Sequence, residues 1–528
     1  MNSGNLCACC AKTNTGQESS LNDIVNIETN IKSNDYDGVI FILYPKELNV
    51  VPPPEISSFI SHVQMIDKKL HKASTLWNFK DVAGGRLIIS PTGVITPYHD
   101  AKIIKQAAAN GMIRAIDAGV KRPLLIAQKV PDFPEGQLVA ILGALEVLYL
   151  PIQAAERGQK RCIDNLGLYA KSSDDEHFRG VVKNAVALEE SRIVTRDIAG
   201  GDPERMCPAN IVAYINKNFA KDSCITIRVV DDLKQINQDY PLLAAVGRAV
   251  SNNERQKARI VELIYTPQNE SKVSDTIFLI GKGVCYDTGG ADIKISGKMR
   301  GMSRDKAGAA CVAGFLKACS LLKPSHLKVY GTICLCRNSV GSYSYVADEL
   351  LVSRSGKSVR ITNTDAEGRL VMADGLTKAA EIANTAINPQ IYTIATLTGH
   401  ASMCVGQYTV ALDNHRARAS NHAARLQNSA ARVSEGVEIS VVRRIDLDVN
   451  TGQSKGDDLS QFNPEVPGRK HQFAAAFLMR ISGLDELNIK YTHLDNAGSC
   501  GLPPDEPTAE PMLTLCHVHK LLNIDEGY

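Results

Sequence analysis

Apolar, β-branched runs punctuated by stretches of helical periodicity recur along most of this chain. Short strands are predicted at 38–43, 86–90 and 123–128, with a helix at 137–150. A long helical segment follows at about 174–198, capped by Ser173 or Asp174. Beyond it, strands at 225–230, 259–265, 276–280, 328–336, 359–362 and 390–395 alternate with helices near 305–322 and 369–384. In the last helix Met372, Leu376, Ala379, Ala380 and Ala383 form an apolar stripe that reads as core. Alternating strands and helices define an α/β fold. The pattern divides into an irregular polar tail at 1–35, read as partly disordered, and a smaller N-terminal α/β domain at 36–175. A connecting helix at 176–198 leads to a larger C-terminal α/β domain at 199–528, expected to carry a mixed central sheet flanked by helices.

The polar residues that interrupt this pattern fall at the predicted strand ends. The buried-type strand Thr276-Ile277-Phe278-Leu279-Ile280 runs into Gly281-Lys282-Gly283-Val284-Cys285-Tyr286-Asp287-Thr288-Gly289-Gly290, then Asp292, Lys294 and Asp305. Lysine and aspartate are rarely buried unless paired or bound to metal. A second cluster, Asn363-Thr364-Asp365-Ala366-Glu367-Gly368-Arg369-Leu370, alternates acid, acid and base. Read as extended backbone, it puts Asp365, Glu367 and Arg369 on one face. The crevice outside strand C-terminal ends is where α/β sheets bind ligands. Three polar segments meeting there (the third is Thr396 to Gly399) favour a metal site over a solvated charge run.

Composition narrows the classes further. At 528 residues with 44% hydrophobic content, the chain exceeds one ordinary core and calls for two or three domains. A formal charge of +2 lacks the dense basic stripe of a nucleic-acid binder. No apolar run is long enough to span a membrane, and Met1 to Leu6 lacks the basic and apolar regions of a secretory signal. Fourteen cysteines without framework spacing read as free thiols of a cytoplasmic protein. Cys7, Cys9 and Cys10 in the tail form the one local group. A phosphate loop is excluded: Gly356-Lys357-Ser358 has Leu351 where the first glycine belongs, and Gly281-Lys282 is followed by Gly283.

The octapeptide Asn363 to Leu370 resembles the signature of the leucyl aminopeptidases, the two-metal cytosolic aminopeptidase family. The segment Gly281 to Asp305, the loop Ala395-Thr396-Leu397-Thr398-Gly399 and the stretch His493-Leu494-Asp495-Asn496-Ala497-Gly498 are similar to that family's other landmarks. The likeness covers roughly residues 190 to 515, and the divergent N-terminal third suggests an aminopeptidase-like branch. The resemblance implies release of N-terminal amino acids from peptides, with two divalent cations held by Lys282, Asp287, Asp305, Asp365 and Glu367. In that arrangement Asp287 and Glu367 bridge, Asp365 completes one site, and Lys282 with Asp305 the other. An oxygen and amine shell suits Zn or Mn, with Mg or Co as alternatives. By the same resemblance a bridging water attacks, Lys294 stabilises the oxyanion, and Arg369 holds a bicarbonate that serves as general base. Asp305 binds the substrate α-amine. Asn363, Thr396, Leu397, Gly399 and Met302 line the substrate site, and the assembly is a homohexamer.

Some positions depart from the family pattern. Arg304 precedes Asp305, Lys306-Ala307-Gly308 follows it, His400 stands where a small residue is usual, and Asp292 lies two residues before Lys294. If His400 lines the first-residue pocket, small or polar N-terminal residues should be preferred to leucine. Asp292 would add an acid near Lys294, unless both are simply satisfied polar residues. A metal-binding scaffold without activity and a DNA-binding role are the competing classes. Lys294 and Arg369 argue against the first and the charge balance against the second.

Overall fold

The computed structural model describes residues 20–172, 174–220, 222–464 and 468–522. Cys7, Cys9, Cys10 and Ser173 lie outside them. Two compact units divide at Glu189/Glu190, and the second runs to Leu522.

The first unit is built on a six-stranded sheet of β1 (Val25–Glu28), β2 (Gly38–Leu43), β3 (Thr75–Asn78), β4 (Arg86–Pro91), β5 (Pro123–Ile126) and β6 (Leu166–Tyr169). Their order is β1-β6-β5-β2-β4-β3, parallel except for β3 against β4. The helices α1 (Pro54–Ile66), α2 (Lys102–Asp117) and α3 (Gly136–Glu146) lie among these strands in sequence, the last fully buried up to Leu145. Strand β1 falls inside the segment expected to be an irregular tail. Val25-Asn26-Ile27-Glu28 alternates apolar and polar residues, and its ladder to β6 outweighs the polar composition around it. The long helix α4 (Glu176–Gly200) crosses the division between the units. Its first turn is capped by Asp175, whose Oδ1 accepts from the Phe178 amide at 2.9 Å, one residue after the expected caps.

The second unit holds an eight-stranded mixed sheet and a three-stranded one. The strands are β7 (Ile225–Val230), β8 (Arg259–Tyr265), β9 (Asp275–Asp287), β10 (Leu327–Asn338), β11 (Leu350–Val352), β12 (Ser358–Arg360), β13 (Pro389–Ala395), β14 (Thr409–Asp413), β15 (Val437–Val441), β16 (Leu459–Ser460) and β17 (Lys490–Asp495). The large sheet runs β15-β14-β17-β13-β9-β10-β8-β7, and β11, β12 and β16 make the small one. At its centre β17, β13, β9 and β10 are mutually parallel, while β14, β8 and β7 join by antiparallel pairing. Helices α5 (Ala307–Leu322), α6 (Gly368–Ala383), α7 (Gly399–Val405) and α8 (Lys470–Ser482) complete the part that concerns the site. Parallel strands covered on both faces carry continuous apolar runs, and β9 is buried along nearly its whole length. The stripe Met372, Leu376, Ala379, Ala380 and Ala383 of α6 packs in this core with Phe278 and Ile280.

Strand β9 is longer than the apolar run that announced it. It continues through Lys282 to Asp287, so these residues end a core strand instead of following it. Gly281 makes this possible: a Cβ there would stand 2.6 Å from the Ala309 Cα of α5. The helix therefore lies directly on the strand.

Candidate metal centre

All four central parallel strands deliver a polar residue to the same end of the sheet. Asp287 ends β9 opposite Asn338 of β10, and Asp495 ends β17 opposite Ala395, whose successor Thr396 begins the loop after β13. Asp305 arrives on the 3-10 turn Met302–Lys306 ahead of α5. Asp365 and Glu367 come from the turn that leads into α6.

That turn corrects one expectation. Glu367 has helical backbone and is the N-cap of α6, so Asp365, Glu367 and Arg369 do not share an extended face. Asn363 shapes the turn, its Oδ1 accepting from the Asp365 amide at 2.7 Å. Glycine is required next: a Cβ on Gly368 would sit 2.6 Å from Lys282 Cε and 2.7 Å from its Nζ.

Lys282 is the hub, only 3% exposed. Its Nζ lies 2.7 Å from Asp305 Oδ1 and 2.8 Å from Glu367 Oε1, and donates to the Thr396 carbonyl at 3.1 Å. Thr396 Oγ1 in turn donates to Asp305 Oδ1 at 2.8 Å. Lys294 Nζ stands 2.8 Å from Asp287 Oδ2 and also pairs with Asp365. The other Asp287 oxygen accepts from the Gly289 amide and from Asn338 Nδ2, each at 2.8 Å. Four carboxylates thus surround two ammonium groups, an excess of two negative charges when all are ionised.

Burial governs the protonation of this cluster. Desolvation, then the Asp287 charge, lifts Glu367 to about 8 against the opposing pull of Lys282. Asp305 rises to about 6, mainly by burial. Burial tends to lower Lys282 too, but the charges of Asp305, Glu367 and Asp287 prevail and hold it above the ordinary lysine range. Lys294 is raised in the same way, chiefly by Asp287.

The residues fit divalent cations. Ligand oxygens of Asp287, Asp305 and Glu367 lie within 4.8 Å of one another. Asp305 Oδ2 and Glu367 Oε2 are buried without a hydrogen-bond partner among the described residues. Leaving such a group unsatisfied costs about 1–3 kcal/mol, and more when it is charged. A shell of carboxylates and an amine suits a hard or borderline ion.

The other positions singled out by sequence make no ion pair with Lys282 or Lys294 among the described residues. Arg369 is buried in α6, donates to the Gln461 carbonyl at 2.8 Å, and packs against Phe462 and Phe477. Burial lowers it to about 10, with Glu367 and Asp495 opposing. Met302 opens the turn that carries Asp305, and Gly399 is exposed at the start of α7. The Leu397 amide donates to Asp495 Oδ1 at 3.2 Å, and Thr398 Oγ1 to its Oδ2 at 2.8 Å. Asp292 is a satisfied polar residue, its Oδ2 accepting from the Thr364 amide at 2.6 Å, not a further acid at the centre. His400 faces His471, Nδ1 to Nδ1 at 2.7 Å. Lys306 is buried, donating to the Gly201 carbonyl at 2.9 Å. Cys285 directs its buried thiol at the Gly283 carbonyl.

Two organising residues had no role in the sequence reading. Asn338 bridges Asp287 to the Thr364 carbonyl, 3.1 Å away, and Asp495 ties down the loop after β13. A lone asparagine closing the apolar stretch of β10 was the available signal for the first. The second lay inside a recognised landmark.

Fold and centre together define a two-unit α/β protein with a buried cluster of carboxylates and lysines at the C-terminal ends of its parallel strands. The chain belongs to the cytosol aminopeptidase family, whose catalytic-domain model matches residues 193–516. It is 42% identical over 444 residues to a Caenorhabditis elegans protein named as an aminopeptidase, covering 82% of this chain and 84% of that one. A protein of Tropheryma whipplei named as a cytosol aminopeptidase is 30% identical across 61% of this chain and 62% of its own length. Among solved structures, the bottromycin maturation enzyme BotP in complex with Mn superposes with a TM-score of 0.74. It shares 20% identity and covers 91% of this chain and 98% of its own, a likeness of fold. Family membership makes this a peptidase of the aminopeptidase class.

Proposed function

We propose that the protein is a metal-dependent aminopeptidase that removes single residues from the free N-termini of peptides, using two divalent cations, Zn or Mn. The observation that carries this reading is the buried group of Lys282, Asp305, Glu367 and Asp287, with unpartnered oxygens on Asp305 and Glu367. Lys282, as the neutral amine that an adjacent cation would favour, and Asp305 would hold one cation and Asp365 the other, with Asp287 and Glu367 serving both. When bound, the cations would supply Lewis-acid polarisation and a water acidic enough to attack at neutral pH.

The remaining chemistry belongs to this chain's side chains. Asp305, joined by hydrogen bond to Thr396, would accept from the substrate's free α-amine, which confines cleavage to the first peptide bond. Lys294 donates from Nζ to the carbonyl oxygen as negative charge develops there. Arg369 is the residue to hold a bicarbonate as proton acceptor; its buried Nε lacks a hydrogen-bond partner among the described residues. Asp495 fixes the Thr396 to Thr398 loop against which the substrate backbone lies.

The family resemblance also supports a homohexamer. Cytoplasmic operation agrees with the described cysteines, which are free and, apart from Cys162 and Cys404, buried. Among the described residues no helix is long and apolar enough to cross a membrane. Exhaustive chelation should abolish release of N-terminal residues, and added Mn or Zn should restore it. Full activity at zero metal content would overturn the proposal.

A further inference from the structure

A second cluster of ligating atoms lies away from the carboxylates. His400 and Cys404 are four residues apart on α7, a spacing that puts both side chains on one helical face. His471, buried in the first turn of α8, meets them there. His400 Nδ1 is 2.7 Å from His471 Nδ1, and Cys404 Sγ is 3.8 Å from His400 Nδ1 and 3.5 Å from its Nε2. One ligand atom from each of the three lies within 4.8 Å of the others.

We infer that His400, Cys404 and His471 form a binding site for a borderline cation of the zinc class, separate from the carboxylate and lysine centre. Tetrahedral zinc, with bonds of about 2.0–2.1 Å to nitrogen and about 2.3 Å to sulfur, spaces its ligand atoms roughly 3.3–3.6 Å apart. The nitrogen pair at 2.7 Å is closer than that and the sulfur–nitrogen pair at 3.8 Å slightly wider, so side-chain rotation would bring the three to the geometry. Two imidazole nitrogens facing each other cannot both carry protons, and a direct hydrogen bond between them leaves Cys404 with only long sulfur contacts. A cation engages all three lone pairs at once.

The outer nitrogen of His471 is already oriented. Its Nε2 lies 2.9 Å from Ser440 Oγ, which also receives Gln472 Nε2 at 2.8 Å. An outer hydrogen bond of this kind sets the tautomer of ligating histidines. Cys404 is exposed, so the cation has a path from solvent and a fourth coordination position open to water.

The site has a mechanical consequence. Gly399 joins α7 directly to Thr398, and the Thr396 carbonyl of the same loop holds Lys282. A cation shared by α7 and α8 therefore anchors the far side of the loop that contacts the catalytic centre.

The choice of ligands makes the test selective. The carboxylate and lysine centre contains no thiolate, so thiolate-to-cobalt charge-transfer absorption reports the second site alone. The full-length protein carrying serine at Cys7, Cys9, Cys10 and Cys162 is titrated with Co²⁺, and bound metal is counted. Expected are a charge-transfer band and one equivalent of cobalt that both disappear in Cys404→Ser and in His400→Asn. Both variants should keep the wild-type far-ultraviolet circular dichroism. Absence of the band in the parent protein, or a band unchanged by Cys404→Ser, would overturn the inference.

Discussion

At the scale of single residues, the contacts around Lys282 separate side chains that hold the centre together from those that act on substrate. Glu367 is 1% exposed and pairs with Lys282. Glu367→Ala removes a carboxylate proposed to serve both cations, so the variant should lose bound metal and activity together, read by metal analysis of the purified protein. Lys294→Ala and Arg369→Ala should keep their metal while kcat falls by about 10²–10³-fold, the size of one lost transition-state contact. Metal loss in either of these would assign that residue to the metal shell instead. The pairing of His400 with His471 changes one expectation about substrate choice. With its imidazole engaged there, His400→Ala should leave the ratio of kcat/KM for leucine and alanine amides unchanged. Much of the centre's residue identity was legible because lysine and aspartate followed a buried-type strand. The direction of the side chains was not, because alternation along 365–369 assumes extended backbone. Glu367 starts a helix, and that rotates Arg369 into the core.

At the scale of elements, glycines set how closely the strands and helices of the centre approach. Gly281 lets α5 lie on β9, and Gly368 lets the start of α6 close over Lys282. Gly281→Ala should overpack this contact and cost about 1–3 kcal/mol. That loss would be measured as a reduced unfolding free energy in denaturant. Gly368→Ala should act locally, displacing the Lys282 ammonium and weakening metal binding more than it lowers stability. Equal loss of both would mean that Gly368 serves general packing. The strands were legible where apolar runs were continuous, as at 276–280, yet the end of β9 was not. Lys282, Gly283 and Asp287 read as loop residues, and pairing with β10, which continues past the end of the β13 ladder at Gly281, keeps them in the strand. Strand β1 was missed for a similar reason. It is four residues long and owes its place to its ladder with β6.

At the scale of the whole molecule, the near-neutral charge of +2 sets expectations for partners. Binding to duplex DNA should be undetectable in a mobility-shift assay at physiological salt, since few phosphates could be neutralised. Sedimentation should report a homohexamer, and an active monomer would refute that proposal. A buried carboxylate and lysine centre that works through bound cations should cleave only beside a free α-amine. That expectation is tested most directly by giving metal-depleted and then Mn- or Zn-loaded protein a peptide with a free N-terminus and its N-acetylated twin, and following the released first residue. Release is expected from the free peptide alone, and only after metal is restored. Equal cleavage of the acetylated peptide, or cleavage by the metal-free protein, would contradict it.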